Sequence, residues 1–479
     1  MKQRSLKINM FLNAIKGLLS VAFPLITFPY VSRILGVDEI GRYNFANSII
    51  SYFILVAGLG ISTYAIREGA RFRDDKDRLE NFASAMYSIN IASTVVAYAL
   101  LIIVVCVVPK FRNYQSLLAV FSVQIIFNTI GIEWIYSIYE DYLYITLRSI
   151  MFQLISLTLL FVFVKTENDV NTYAAITVFS YACSNILNRI HSKKYCKVRI
   201  TKQINWKKHL KPIMALFAMA VTTTIYVSSD TIILGFLCSD YEVGIYSVSV
   251  KIYSIIKSVV ASIVTVSIPR MSSIFGSGDK KGFSAVGIDI YNTLLTIMLP
   301  AMVGIVVLRK EIVLIVSGIA YEDAASSLAI LVIAMFFCLG AYFWGQAVLI
   351  PARKEKVVLV ATITSASVNV VLNLILIPFG KENAAAFTTL LAEGTAFLIC
   401  RYEGIKLLEP NGVKNTLGKI LTGCAAIVGM SVVFIGFKSH FILYTMLNVS
   451  CSAIIYITIE IILKNECIST IWSKICRKA

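Results

Sequence analysis

Apolar residues fall in runs of about 20 along nearly the whole chain, separated by short polar stretches. That is the length a helix needs to cross the hydrocarbon of a bilayer. Backbone groups inside a bilayer must be satisfied within their own segment, so each run is expected to be a helix. No ten-residue alternating pattern suggests a membrane barrel. The runs predict about fourteen spans, at residues 10–31, 43–66, 82–108, 115–139, 142–164, 172–190, 213–237, 243–268, 288–308, 325–350, 357–378, 384–400, 419–437 and 441–463. The sixth and twelfth are short. The stretch from Ile312 to Ala320 is apolar but too short to cross, and is expected at the interface. The basic, then apolar N-terminus resembles a signal peptide. Its run is too long and has no small-residue cleavage site, so it is read as a retained first helix.

The distribution of basic residues tests this layout. With a cytoplasmic N-terminus, thirty-one of the 44 lysines and arginines fall in cytoplasmic segments, counting Arg189 and Lys419 at the cytoplasmic ends of their spans, and nine in outer loops. Lys16, Arg148, Lys251 and Lys257 lie inside helices. One missed helix would invert every later loop, so the asymmetry supports the count and places both termini in the cytoplasm. The net charge of +17 is then explained by orientation and by anionic lipid, and nucleic acid is not expected as a partner. The largest cytoplasmic loop, Arg189 to Pro212, falls where the chain divides in half.

The halves contain a weak repeat. Leu35 to Ile50 reads LGVDEIGRYNFANSII, and Leu234 to Ile252 reads LGFLCSDYEVGIYSVSVKI. Each has Leu-Gly, an acidic turn, then Gly-x-Tyr opening a helix. The expected organisation is a six-helix bundle at 1–205, a second at 206–412, and two further helices with a tail at 413–479.

Candidate chemistry is carried by polar stripes. In the first helix Asn9, Asn13, Lys16, Ser20, Pro24 and Thr27 recur at steps of three and four, and so share one face. Ser247, Lys251, Ser254, Ser258, Ser262 and Thr265 repeat those steps in the eighth. Asn44, Ser48 and Ser51 form a shorter stripe in the second. Small polar residues also serve ordinary helix packing. The lysines are costly in lipid and are expected beside a wet cavity, as is Lys257. Depth pairs Asp230 with Lys251 as a candidate gate, and Glu133 with Arg148 as a structural ion pair. Glu393 stands at mid-membrane, either as a proton or sodium site or as a protonated packing acid.

Other signals are discounted. Asp75-Lys76-Asp77 has the spacing of a sugar-nucleotide motif but sits in a charged loop. Gly276 to Lys281 lacks the ending and the preceding strand of a phosphate loop. Ten cysteines are scattered without a pair motif and read as small packing residues. The three histidines have no ligand spacing. No metal or cofactor is expected.

Four stretches together resemble the polysaccharide repeat-unit flippases of the multidrug, oligosaccharidyl-lipid and polysaccharide exporter superfamily. They are FPLITFPYVSRILGVDEIGRYNFANSII ending at Ile50, IGIEWIYSIYEDYLYIT from Ile130, LIPARKEKVVL from Leu349, and NVVLNLILIP from Asn369 with Ala392-Glu393 following. The resemblance implies an all-α membrane fold with two six-helix bundles in a V, and a cavity lined by helices 1, 2, 7 and 8. It also implies a substrate of undecaprenyl-diphosphate-linked oligosaccharide; a place in the cytoplasmic (inner) membrane and a polysaccharide polymerase as a partner are expected with it. The cavity residues would be Asn13, Lys16, Ser20, Asn44, Ser48, Ser51, Lys251, Ser254, Lys257 and Ser258. A multidrug exporter or a peptidoglycan-precursor flippase of the same fold is the alternative. A membrane-bound polymerase fits less well, because no sizeable outer loop is present.

Overall fold

The computed structural model describes residues 6–408, 413–437 and 440–469; side chains are described from Gly17 onward, apart from those of Leu18, Ser20, Val21 and Phe437. The described residues are helical almost throughout. In order the helices are α1 Leu6–Gly58, α2 Ile61–Gly69, α3 Lys76–Val107, α4 Gln115–Gly131, α5 Trp134–Ile138, α6 Tyr142–Phe163, α7 Val170–Ser192, α8 Trp206–Leu237, α9 Asp240–Gly276, α10 Lys280–Val307, α11 Arg309–Ser317, α12 Ala324–Tyr342, α13 Glu355–Gly404, α14 Val413–Val433 and α15 Phe441–Ile462. Among the described residues, eleven continuous stretches are long and apolar enough to cross a membrane. Two of these each join a pair of spans, and α7 supplies one more, giving fourteen.

Both joined pairs have a local cause. In α1 the break is at Gly36, with φ 76° and ψ 177°, a conformation only glycine adopts without strain. In α13 it follows Pro378 and Gly380, at Lys381 with φ 48°. The expected fourth span is divided as well: Ile132 at φ 37° ends α4, and α5 follows. The apolar stretch Ile312 to Ala320 falls partly in the short helix α11, which opens on Arg309-Lys310-Glu311 and ends before Gly318. A π-helical turn, Phe343–Leu349, extends α12.

Apolar side chains on the outer helix faces are exposed, such as Val96 at 52% and Val107 at 70% on α3. Water would penalise that surface, whereas lipid accepts it.

The chain forms two compact units, Met1–Gly244 and Ile245–Ala479. In the first, α8 packs on α1 and α2. Gly235 lets the Phe45 ring lie against the α8 backbone, and Phe236 meets the same ring edge-on, with centroids 5.4 Å apart. His209 Nδ1 lies 2.9 Å from the Tyr64 hydroxyl. At one end of this unit Ile61, Leu79, Met86, Trp134, Tyr136, Ile145, Tyr195 and Ile213 form a core beneath the loops.

The loop expected at Arg189 to Pro212 is shorter, because α7 runs to Ser192 and α8 starts at Trp206. Part of it is fixed. The N–H groups of Lys197, Arg199 and Thr201 donate to Glu80 Oε1, Ser84 Oγ and Ser88 Oγ at 2.8, 3.1 and 2.9 Å. An extended chain exposes every second N–H on one side, about 6.6 Å apart, and helix positions four apart lie about 6 Å apart. Alternate residues of the loop therefore match a stripe on α3.

In the second unit, α13 folds back on itself. Asn373 Nδ2 donates to Asn369 Oδ1 at 3.1 Å, Thr388 Oγ1 bonds Asn373 Oδ1, and Ser365 Oγ donates to the Ala392 carbonyl at 2.7 Å. All five positions are buried. Polar side chains in this setting join helices by hydrogen bonds that lipid cannot replace.

Candidate functional site

The α9 stripe arises because residues three and four apart share a helical face. Lys251 and Ser254 are half-buried and Ser258 is exposed. Each hydroxyl donates to its own helix: Ser254 to the Lys251 carbonyl at 2.9 Å, Ser258 to Ser254 at 2.7 Å, Ser262 to Val259 at 2.6 Å and Thr265 to Ala261 at 3.1 Å. The backbone thus satisfies the hydroxyl protons while the oxygens keep lone pairs.

Lys257 lies on an adjoining face, half-buried, with Nζ 4.8 Å from the centre of the Tyr253 ring. One turn separates the two residues, so a cation–π contact follows from their spacing. Cys338 of α12 adjoins both Tyr253 and Glu393. Glu393 is only 4% exposed. The second unit therefore gathers Lys257, Tyr253, Cys338 and Glu393 in one place. Sequence reasoning named the lysine and the acid separately and took Cys338 for a packing residue. Tyr253 was detectable, being four residues before Lys257. Cys338 was not, because nothing local marks which buried thiol meets α13.

In the first unit, Asn44, Ser48 and Ser51 lie on one half-buried face of α1. Asn44 Nδ2 donates to the Ile40 carbonyl at 2.8 Å, and Ser51 Oγ donates to Ser48 at 2.6 Å. Asn13, Lys16 and Ser20 belong to the same helix, but their side chains lie outside the described residues. Asp230 is buried in α8, in the first unit, and Lys251 belongs to the second.

Arg148 Nη2 donates to Glu133 Oε2 at 2.9 Å. The arginine side chain is 5% exposed and the glutamate 44%, so the carboxylate meets the guanidinium from the open side. Tyr144 covers the guanidinium with its ring, 5.8 Å from the centroid.

The two discounted motifs have structural duties. Asp75 caps α3, accepting from the Arg78 N–H at 3.1 Å and pairing with its guanidinium at 3.0 Å. Asp279 caps α10, accepting from the Gly282 N–H at 2.8 Å. Each binds the free N–H groups of a helix start, which is the work of an N-cap.

Within the second unit a groove of 620 Å³ runs between α10, α14 and α15. Its lining is almost wholly apolar, with Ile297, Pro300, Ile427, Val449 and Ile457 prominent.

A paired-helix membrane architecture of this kind is shared with solved transporters. A lipid II flippase, MurJ in an inward closed conformation, superposes with a TM-score of 0.77 at 15% identity, covering 95% of this chain and 99% of that one. An inward-facing multidrug resistance MATE family transporter gives 0.58 at 14% identity, covering 80% and 94%. The chain thus shares the fold of these two proteins. The particular family follows from sequence: residues 6–275 match the model of the polysaccharide biosynthesis protein family, and the chain belongs to it. A relative from Escherichia coli (strain K12), named "Putative O-antigen transporter", is 25% identical over 397 residues, or 81% of this chain and 94% of the relative. A second of the same name, from Shigella dysenteriae, is 20% identical over 259 residues, covering 53% and 64%. The resemblance first seen in the four sequence stretches leads to this family.

Proposed function

We propose that the protein is a flippase that moves undecaprenyl-diphosphate-linked oligosaccharide repeat units from the inner to the outer leaflet of the cytoplasmic membrane by alternating access, in surface polysaccharide assembly. The observation that carries the reading is the α9 face, where Lys251 stands among serines within a membrane-spanning helix and Lys257 adjoins it. A diphosphate cannot enter hydrocarbon bare. Ammonium groups replace its hydration with charge-assisted hydrogen bonds, and hydroxyl oxygens receive those of the sugar. Lys16, Asn13, Ser20, Asn44, Ser48 and Ser51 are proposed to do the same from α1. The polyprenyl tail needs no polar partner, and the apolar groove between α10, α14 and α15 offers it a wall.

Asp230 with Lys251 is proposed as the gate that phosphate competes for. Glu393 is proposed as the ion-coupling group, exchanging a proton or sodium ion under the influence of Lys257. Both termini are assigned to the cytoplasm from the basic asymmetry. A polysaccharide polymerase is the expected consumer of the product.

The test is translocation of labelled undecaprenyl-diphosphate oligosaccharide in vesicles holding the purified full chain. Accelerated flipping, lost in Lys251→Gln, supports the reading. Flipping of lipid II alone would make the chain a peptidoglycan-precursor flippase. Drug efflux without lipid flipping would make it a multidrug exporter.

A further inference from the structure

We infer that residues 197–211 form a fixed docking surface for anionic phospholipid head groups. The reasoning starts with length. Helix α3 has 32 residues, and crossing the hydrocarbon takes about 20, so about 12 residues protrude. The far end of α3 is the largely exposed apolar run Val95 to Val107, with only Ala97 and Leu101 buried, which places the protruding part at Lys76 to Tyr87. The extended segment lies against that part, anchored at Glu80, Ser84 and Ser88. Helix α8 also has 32 residues, and its first turns carry the charges, so they protrude likewise. Both pieces therefore stand at the level of the head groups, on the side that the lysines and arginines assign to the cytoplasm.

The surface has the composition such a place requires. Lys197, Arg199, Lys202, Lys207, Lys208 and Lys211 are all exposed. Between them stand exposed apolar groups: Ile200 at 73%, Trp206 at 44% and Leu210 at 40%. Basic side chains beside an exposed tryptophan suit the boundary of an anionic leaflet, where the ammonium groups meet phosphate and the indole rests at the acyl edge. A mobile loop of the same composition would lose conformational entropy on binding. Here the backbone is already held: Tyr195, Cys196 and Val198 are buried, and three successive alternate N–H groups are bonded. The buried residues fix which side chains face outward.

The occupant is a phospholipid of the surrounding leaflet, present at high concentration, and the inference does not depend on what the protein transports. The test uses the purified full chain in nanodiscs of phosphatidylcholine with phosphatidylglycerol, and counts the phosphatidylglycerol molecules retained on release by native mass spectrometry. The triple variant K197Q/R199Q/K202Q is expected to lower retained phosphatidylglycerol about fivefold or more, with salt doing the same to the wild type. Neutralising three exposed lysines elsewhere, K280Q/K281Q/K356Q, is expected to leave it within twofold. S84A/S88A keeps every charge but frees the segment, and an intermediate fall is expected. Equal retention in the two triple variants overturns the proposal. Unchanged retention in S84A/S88A overturns the role of the fixed backbone. Loss of undecaprenyl phosphate binding with phosphatidylglycerol unaffected would make this a substrate surface and also overturn it.

Discussion

Gly41 and Gly244 each sit where the other's helix comes closest. A methyl group added at Gly41 would overlap the Asp240 carbonyl oxygen, and one added at Gly244 would overlap the Val37 carbonyl oxygen. Asp240 and Val37 each precede a glycine by four residues, so the contact is reciprocal. These are the Gly-x-Tyr glycines of the two repeated hairpins. Small residues at a crossing let backbones touch, a recurring device in lipid.

Gly41→Ala and Gly244→Ala are each expected to cost about 1–3 kcal/mol through overpacking, read as a lower unfolding temperature in detergent. Gly394→Ala and Gly304→Ala, where an added methyl meets no atom within 4 Å, provide controls expected to be neutral or better. Equal behaviour of the two pairs would show that the helices do not cross in this way.

Much of this architecture was legible in the sequence. The spans follow from run length, and the break at Gly36 from glycine next to an acidic turn. The repeat could be seen, but not that its copies touch, because pairing between distant segments leaves no local periodicity. Residues 195–201 were equally hidden: an extended segment bonded to side chains on α3 looks like a charged loop. Glu133 and Arg148 were paired by equal depth, a one-dimensional argument. Cys338 needed the third dimension, since α9, α12 and α13 all converge on it.

Removing one member of the Glu133–Arg148 pair leaves the other without its partner. Because the carboxylate is nearly half exposed, the cost of Glu133→Gln should fall below that of a fully buried pair, at roughly 1–3 kcal/mol. The double variant Glu133→Gln/Arg148→Met is expected to be more stable than the sum of the singles. A double-mutant cycle of thermal unfolding measures this, and strict additivity would deny the coupling.

Burial pushes the Cys196 thiol up to about 12. Only the thiolate reacts with maleimides, so labelling is expected to stay slow from pH 7 to 9 and to rise only as pH approaches that value. Freeing the segment with Ser84→Ala/Ser88→Ala should bring the reactivity of Cys196 toward that of an ordinary thiol. Fast labelling of the wild type at pH 7.5, in a background without the other cysteines, would contradict its burial.

Lys257→Gln and Glu393→Gln are each expected to reduce flipping about tenfold or more, the worth of one charge-assisted hydrogen bond to the substrate or ion. The conservative Lys257→Arg should retain more activity than Lys257→Gln. If Glu393 handles a proton, Glu393→Gln should also flatten the dependence of flipping on an imposed pH gradient, which a purely packing role would leave intact. Vesicle assays at matched protein content measure both.

The hydroxyl row of α9 has a consequence for how tightly anything can be held there. The protons of Ser254, Ser258 and Ser262 are already given to the helix, so their oxygens are left to accept, about one turn or 5.4 Å apart, while Thr265 Oγ1 also meets the Tyr342 hydroxyl at 3.1 Å. A visitor rich in hydroxyls finds a similar welcome at each rung and a deep hold at none. For the proposed oligosaccharide substrate, such a row would favour passage over capture and discriminate little between one sugar and the next.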